Sequence, residues 1–304
     1  GCSFHIKKIQ TLRLSAACEP VLKSNTDRWP GRIIDLLFLL GVIATSATGL
    51  GFGTSVVSSA VAELTGIAEG LELQIIIILI ATSIISVSVY RGLNKGILVL
   101  SRVNTTMALV FIAFVFIVGP TVFIVEMGVT SLGVVVSEFI TMLTWTDPMQ
   151  RSDFVESWTV FYWAWWLAMG PFVGMFICKI SEGRTIRQVI WGVLFYGSFG
   201  CSLFFIVLGN YALHVELSGL YPVVETAIQS SPSSAIAGIV ALLPAGQFWL
   251  FYLAIIGIVF MATTYDSASY ALAAGSLRRL EEHGHPTRWH RLFLSLIHIS
   301  EPTR

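Results

Sequence analysis

An all-α integral membrane protein is the fold class this sequence predicts, and three observations predict it. Of 304 residues, 55% are hydrophobic and only 12% are Asp, Glu, Lys or Arg, against about 25% charged in a typical soluble domain. The apolar residues fall into about six runs, each reaching or approaching the roughly 20 residues that a helix needs to cross the hydrocarbon layer. The stretches between the runs alternate in charge, every second one holding most of the Lys and Arg.

In chain order, residues 1–32 are polar and basic, with Lys7, Lys8, Arg13, Lys23, Arg28 and Arg32, and read as a cytoplasmic loop. The predicted spans are 33–61, 73–90, 104–125, 158–180, 189–213 and 248–274. The first connection has Glu63, Glu69 and Glu72 but no Lys or Arg; the second carries Arg91, Lys95 and Arg102. The third holds Glu126, Glu138, Asp147, Asp153 and Glu156 with only Arg151, the fourth Lys179, Arg184 and Arg187, the fifth Glu216, Glu225 and His214. Arg278, Arg279, Arg288 and Arg291 follow the last span. Lys and Arg collect on the cytoplasmic side of short connections, which predicts a multi-pass protein of the cell membrane with both ends in the cytoplasm. Within the two long outer connections, Leu132–Leu143 and Ala235–Leu243 have the length of short helices lying on the outer face.

Composition also excludes partners. The 18 basic and 18 acidic residues balance, and neither a basic field nor a nucleic-acid-binding motif is present, so the expected surroundings are a lipid bilayer and no nucleic acid. Cys2, Cys18, Cys178 and Cys201 show no CxxC or Cys/His ligand spacing and are read as packing residues. Within the spans no Ser/His, paired Asp or metal-spaced set points to an intramembrane enzyme.

The fourth span carries the most specific chemistry. Between Trp158 and Trp166 it has four tryptophans, Phe161 and Tyr162 in nine residues, followed by Gly170-Pro171-Phe172-Val173-Gly174. At helical spacing Trp158, Tyr162, Trp165 and Met169 share one stripe, with Trp166 on its flank. Aromatic faces bind quaternary ammonium groups, which cannot donate hydrogen bonds; rings of these types also form interfacial belts. Gly170 and Pro171 predict a break or kink just beyond the rings, either a hinge or a static kink. In the first span Thr45, Ser46 and Thr48 precede Gly49-Leu50-Gly51-Phe52-Gly53, and the last has Thr263, Thr264, Asp266, Ser267 and Ser269. Such hydroxyls either bond back to their own helix or offer oxygen ligands to a hard cation. Asp266, an intramembrane carboxylate, marks a functional or helix-fixing position.

Ser157-Trp158-Thr159-Val160-Phe161-Tyr162-Trp163-Ala164-Trp165-Trp166, then Pro171 to Ile177 and Ile180 to Arg187, closely resembles the betaine/carnitine/choline transporter family. So do Leu12-Arg13-Leu14-Ser15, Gly92 to Gly96 with Leu100 to Asn104, and Thr263 to Ser269, in family order from about Thr11 to Phe293. The resemblance implies a twelve-helix secondary transporter with a leucine-transporter-like inverted-repeat fold, often trimeric, of which this chain resembles the fifth to tenth helices. Residues 33–293 are then a partial transporter domain. The stretch 294–304 resembles the translation of a sequencing adapter and is expected to be a non-native tail.

By the same resemblance Trp165 and Trp166, with Trp163 adjacent, supply half of a substrate cage, and Met169 stands where the family has an aromatic. Phe260, Thr263 and Thr264 match one sodium site; Phe172 and Ser46 match a second. The implied function is transport of a small onium osmolyte such as glycine betaine, choline, carnitine or dimethylsulfoniopropionate, with no cofactor and with sodium as the coupling ion. A sodium-independent exchanger and a non-transporting osmosensing membrane subunit are the alternatives.

Overall fold

The computed structural model describes residues 13–276 apart from Gly92, Gln150 and Glu182. The expectations placed on residues 1–12, on those three positions and on 277–304, the tail 294–304 included, lie outside the described residues, as does the side chain of Asp266. Among the described residues all regular structure is helical, with no strand.

Two short helices, α1 (Leu14–Ala17) and α2 (Glu19–Leu22), lead into α3 (Trp29–Thr65). Pro30 sits in the first turn of α3, where its missing N–H has no helical partner to lose. Gly66 closes the helix in the left-handed conformation at φ 73° and donates its N–H to the Ala62 carbonyl. Next come α4 (Leu71–Arg91) and α5 (Leu93–Val118). The span expected at 104–125 does not match one helix: α5 begins earlier and stops at Val118, and α6 (Thr121–Ser137) starts beyond Gly119-Pro120. Proline disfavours the helical conformation of the residue before it and offers no N–H, so the ladder ends there although apolar sequence continues on both sides.

After α7 (Phe139–Thr144), a π turn at Val155–Val160 runs directly into α8 (Phe161–Ile180). The reciprocal hydrogen bonds of Thr185 and Gln188 cap α9 (Ile186–Gly192). Two π turns, Val193–Gly197 and Phe205–Gly209, join it through α10 (Ser198–Phe204) to α11 (Asn210–Leu217) as one run, Ile186–Leu217. The segments expected on the outer face lie on the end of α6 with α7, and on α13 (Pro232–Ala241), which follows α12 (Val223–Gln229). Ser231 caps α13, its hydroxyl accepting the Ser234 N–H. The last described element is α14 (Gly246–Ser276). Trp29–Thr65, Val99–Val118, Ile186–Leu217 and Gly246–Ala273 are each long and apolar enough to cross a membrane. The expected spans 73–90 and 158–180 fall on α4 and on the π turn with α8.

The organising contact is between α3 and α14. Phe38 lies against Gly275, the Ser46 carbonyl accepts the Tyr265 hydroxyl, Met261 lies against Gly53, and Val57 against Gly257. Positions rising along one helix meet positions falling along the other, so the pair is antiparallel over its length. Glycine makes this approach possible: a Cβ at Gly257 would collide with a methyl of Val57, and only small residues allow membrane helices so close together.

Around this pair the larger core gathers Leu50, Val57, Ile77, Phe111, Val115, Ile124, Val207 and Leu250. Trp249 stacks on Phe114 with ring centroids 3.9 Å apart, and Tyr252 donates to the Met107 carbonyl at 3.2 Å, pinning the start of α14 to α5. A second cluster, Phe38, Val42, Phe172, Ala268, Ala271 and Leu272, joins α3, α8 and α14 at the end where α3 begins and the other two finish.

Candidate functional site

On α8 and its leading π turn, the side chains at helical spacing meet as the stripe requires. Trp158 and Tyr162 stack with centroids 6.2 Å apart and planes 17° apart. Tyr162 meets Trp165 edge to face at 6.4 Å, and Trp165 meets Trp166 at 5.4 Å. Edge-to-face pairs of this kind fix ring orientation and add stability beyond burial. Trp166 remains 55% exposed, leaving ring surface open to a ligand. The Trp165 indole Nε1–H is buried without an acceptor among the described residues, a costly state unless something else supplies one.

Trp163 is placed differently from its two neighbours in the motif. With Phe154, Trp158, Thr159 and Tyr162 it lines an open depression of about 540 Å³, while Trp165 and Trp166 pair with each other along the helix. Met169, one turn beyond, is half-buried against the cluster containing Phe172. The break or kink expected at Gly170-Pro171 does not interrupt the helix: α8 is continuous from Phe161 to Ile180 with Pro171 inside it. A proline removes one donor, here the one that would face the Leu167 carbonyl, and helices in membranes tolerate this loss when the surroundings hold the helix together.

The oxygens expected to hold a cation lie on the two packed helices. Thr263 Oγ1 donates to the Phe260 carbonyl at 2.8 Å and reaches the Val259 carbonyl at 3.1 Å. Ser46 Oγ donates to the Val42 carbonyl at 2.7 Å, and Thr45 and Thr48 likewise bond back one turn. Back-bonding is therefore the observed state of these hydroxyls. It does not disqualify them as ligands, because a hydroxyl that has given away its proton keeps lone pairs free to accept. Of the second pair, Phe172 is buried in the cluster that also holds Val42, one turn before Ser46 on α3. Thr264 is half-buried on α14.

Tyr265 is a residue that sequence reasoning misses. It is buried between the helices, and its hydroxyl reaches the Ser46 carbonyl at 2.9 Å. Its motif stands out in the sequence, but the pairing of a hydroxyl with a carbonyl 219 positions away leaves no local pattern to read.

Two charged groups outside the spans are held by specific donors. Asp147, at φ 47°, accepts from the Ser152 N–H at 2.8 Å, the Ser152 hydroxyl at 3.0 Å and the Arg151 N–H at 3.2 Å. These bonds, the Ser152 amide foremost, hold its carboxyl below the usual aspartate range despite the opposing effect of burial. For Arg13 burial opposes the charge, yet the hydrogen bonds and charges of Asp27 and Asp35 outweigh it and raise the guanidinium above its ordinary value.

Residues 2–300 match the family described as BCCT, betaine/carnitine/choline family transporter. The chain is 32% identical over 294 residues to the uncharacterized transporter YeaV of Escherichia coli, covering 97% of this chain and 61% of that protein. It is 33% identical over 302 residues to the carnitine transporter of Acinetobacter baumannii, covering 98% of this chain and 55% of that one. With the glycine betaine transporter OpuD of Bacillus subtilis the identity is 31% over 272 residues, 88% of this chain and 52% of the relative. The chain thus spans a little over half the length of these relatives. Their names are those of transporters, not of enzymes. Together with the long apolar helices, the match makes this a multi-pass membrane protein, and the chain belongs to the betaine/carnitine/choline transporter family.

Proposed function

We propose that these residues form part of a secondary transporter that moves a small onium osmolyte, such as glycine betaine, choline, carnitine or dimethylsulfoniopropionate, through alternating access, as a sodium symporter. The observation that carries this reading is the run of ring contacts from Trp158 through Tyr162 and Trp165 to the half-exposed Trp166. A methylated cation offers no donors, so aromatic faces are its natural recognition surface. The Trp165 indole N–H, buried without an acceptor among the described residues, suits a carboxylate carried by the same molecule, which favours a zwitterion over a plain cation.

Sodium coupling is supported by oxygen-rich turns on adjacent helices: Thr263 with the Phe260 carbonyl on α14, and Ser46 on α3 linked to α14 by Tyr265. Hydroxyl and carbonyl oxygens suit a hard cation. Coupling requires that substrate and ion together favour a state that neither favours alone. In this reading the six helical spans cross the cell membrane with both chain ends in the cytoplasm, Gly170-Pro171 serves as a hinge, and the complete protein assembles as a trimer.

The test is uptake and counterflow of labelled glycine betaine in vesicles carrying the complete protein, with and without a sodium gradient. Saturable, sodium-stimulated uptake is expected. Counterflow that ignores sodium would make the protein an exchanger, and absence of saturable movement at any osmolality would leave a sensing role in its place. Trp166→Ala should weaken substrate binding by about 1–2 kcal/mol if a desolvated cation rests on that ring. Equal affinity in the variant would remove Trp166 from the cage.

A further inference from the structure

We propose that the described segment before α3, residues 13–28, fastened by Arg13, Ser15 and Asp35, is a releasable strap that covers the end of the α3–α8–α14 junction; as a gate on the helices that carry the candidate site it rests on the transport reading.

Asp35, near the start of α3, gathers donors from the segment before it. Its carboxylate accepts from Arg13 Nε at 2.7 Å and from the Ser15 N–H and hydroxyl, both at 2.9 Å, with Arg13 Nη2 at 2.6 Å. Arg13 Nη1 donates to Asp27 at 2.6 Å. The side chains of Arg13 and Asp35 are each only 13% exposed, whereas that of Asp27 is 77% exposed. One carboxylate therefore holds the first turn of α1 against α3.

Between the two fastened residues stands Leu14, packed on the cluster of Phe38, Val42, Phe172, Ala268, Ala271 and Leu272. That cluster is built from all three helices carrying the candidate site, and Met169 packs on it from the α8 side. Leu14 is thus an apolar knob laid over the end of the junction.

Apolar burial adds little to this hold. In α1 and α2 only Ser15 is fully buried, and Val21 is 84% exposed. A segment with few apolar contacts and a few shielded polar fastenings belongs to the part of a fold that opens locally without global unfolding. Breaking a shielded pair by removing one partner leaves the other charge uncompensated, so the fastening is selective: intact it keeps Leu14 seated, and broken it frees the segment.

The test measures access without requiring transport. In the complete protein, with native cysteines replaced by serine, Ala271→Cys places a thiol in the covered cluster, and its modification rate by a small methanethiosulfonate reagent is followed. Arg13→Ala should raise that rate about tenfold, corresponding to about 1.4 kcal/mol. Asp27→Ala, which removes the exposed partner and leaves Asp35 in place, should change it less than about twofold. A second reporter, Val115→Cys in the larger core, should not respond. Equal rates with and without Arg13, or a rise at both reporters, would overturn the strap. If Arg13→Ala does not accumulate in the membrane, Arg13→Lys keeps a charge but loses the planar fork; an intermediate rate is expected and an unchanged one overturns the proposal. Because the readout is thiol chemistry, failure of the transport reading and failure of the strap are separate results.

Discussion

Two helical runs of similar length and apolar character have opposite surroundings in this molecule. One third of the most apolar stretch of Gly246–Ala273 is buried inside the protein, and none of the corresponding stretch in Ile186–Leu217 is. The first is lined by small or compact residues, Ala254, Gly257, Ala262, Ala268 and Ala271, and it lies against the glycines and hydroxyls of α3. The second displays Trp191, Phe195, Tyr196, Phe199, Phe204 and Phe205 outward. Apolarity assigns both runs to the membrane, and small residues such as Gly257 let the first approach α3 closely, because in lipid there is no hydrophobic drive between helices and close van der Waals approach must supply the association.

The sharpest way to break this contrast is at the closest approach. Gly257→Val would put side-chain atoms into Val57 and should destabilise the fold by about 1–3 kcal/mol, seen as a lowered midpoint of thermal unfolding in detergent. An unchanged midpoint would show that the α3–α14 contact is not tight in solution. Tyr265→Phe removes the hydroxyl that ties α14 to the Ser46 carbonyl and should cost about 0.5–1 kcal/mol by the same measurement. On the exposed run, Gly200 has open space for 4 Å around the place a Cβ would take, so Gly200→Ala should stay within about 0.5 kcal/mol of the parent. A large loss there would mean that this face is covered by protein.

The smallest effect belongs to the loop between α7 and α8. Because the Asp147 carboxyl is held below its ordinary value, the folded loop binds fewer protons than the unfolded one. Its contribution is complete above the ordinary aspartate pKa of about 3.9 and is lost as pH falls through the lower folded value. Hydrogen-exchange protection of the Ser152 amide should be flat near neutrality and fall only in acid, and Asp147→Asn should abolish that acid step.

Much of this is legible in the sequence for identifiable reasons. The aromatic stripe follows from helical periodicity alone, which is why Trp158, Tyr162 and Trp165 meet as expected. Hydroxyl clustering picks out α3 and α14 because polar groups are rare in such helices. What escapes is non-local or hidden by uniform composition. The stop at Gly119-Pro120 lies inside continuous apolar sequence, and the unbroken course of α8 through Pro171 depends on its neighbours. The π turns carry no residue signature here, and Tyr265 and Asp35 find their partners only once helices are packed. Trp163 lines the depression together with Trp158 and Tyr162 of the ring run, and it turns away from Trp165 because two helical positions amount to about 200°.

The ring run on α8 also makes the molecule its own optical probe. Trp158, Tyr162, Trp165 and Trp166 are linked by successive centroid separations of 6.2, 6.4 and 5.4 Å, close enough for their excited states to couple and for tyrosine to pass its excitation to tryptophan. Near-ultraviolet circular dichroism, which reports fixed asymmetric packing of aromatic rings, should therefore carry a strong contribution from this one stretch. A ligand that settles between the rings would then announce itself in the protein's own spectrum, with no label attached.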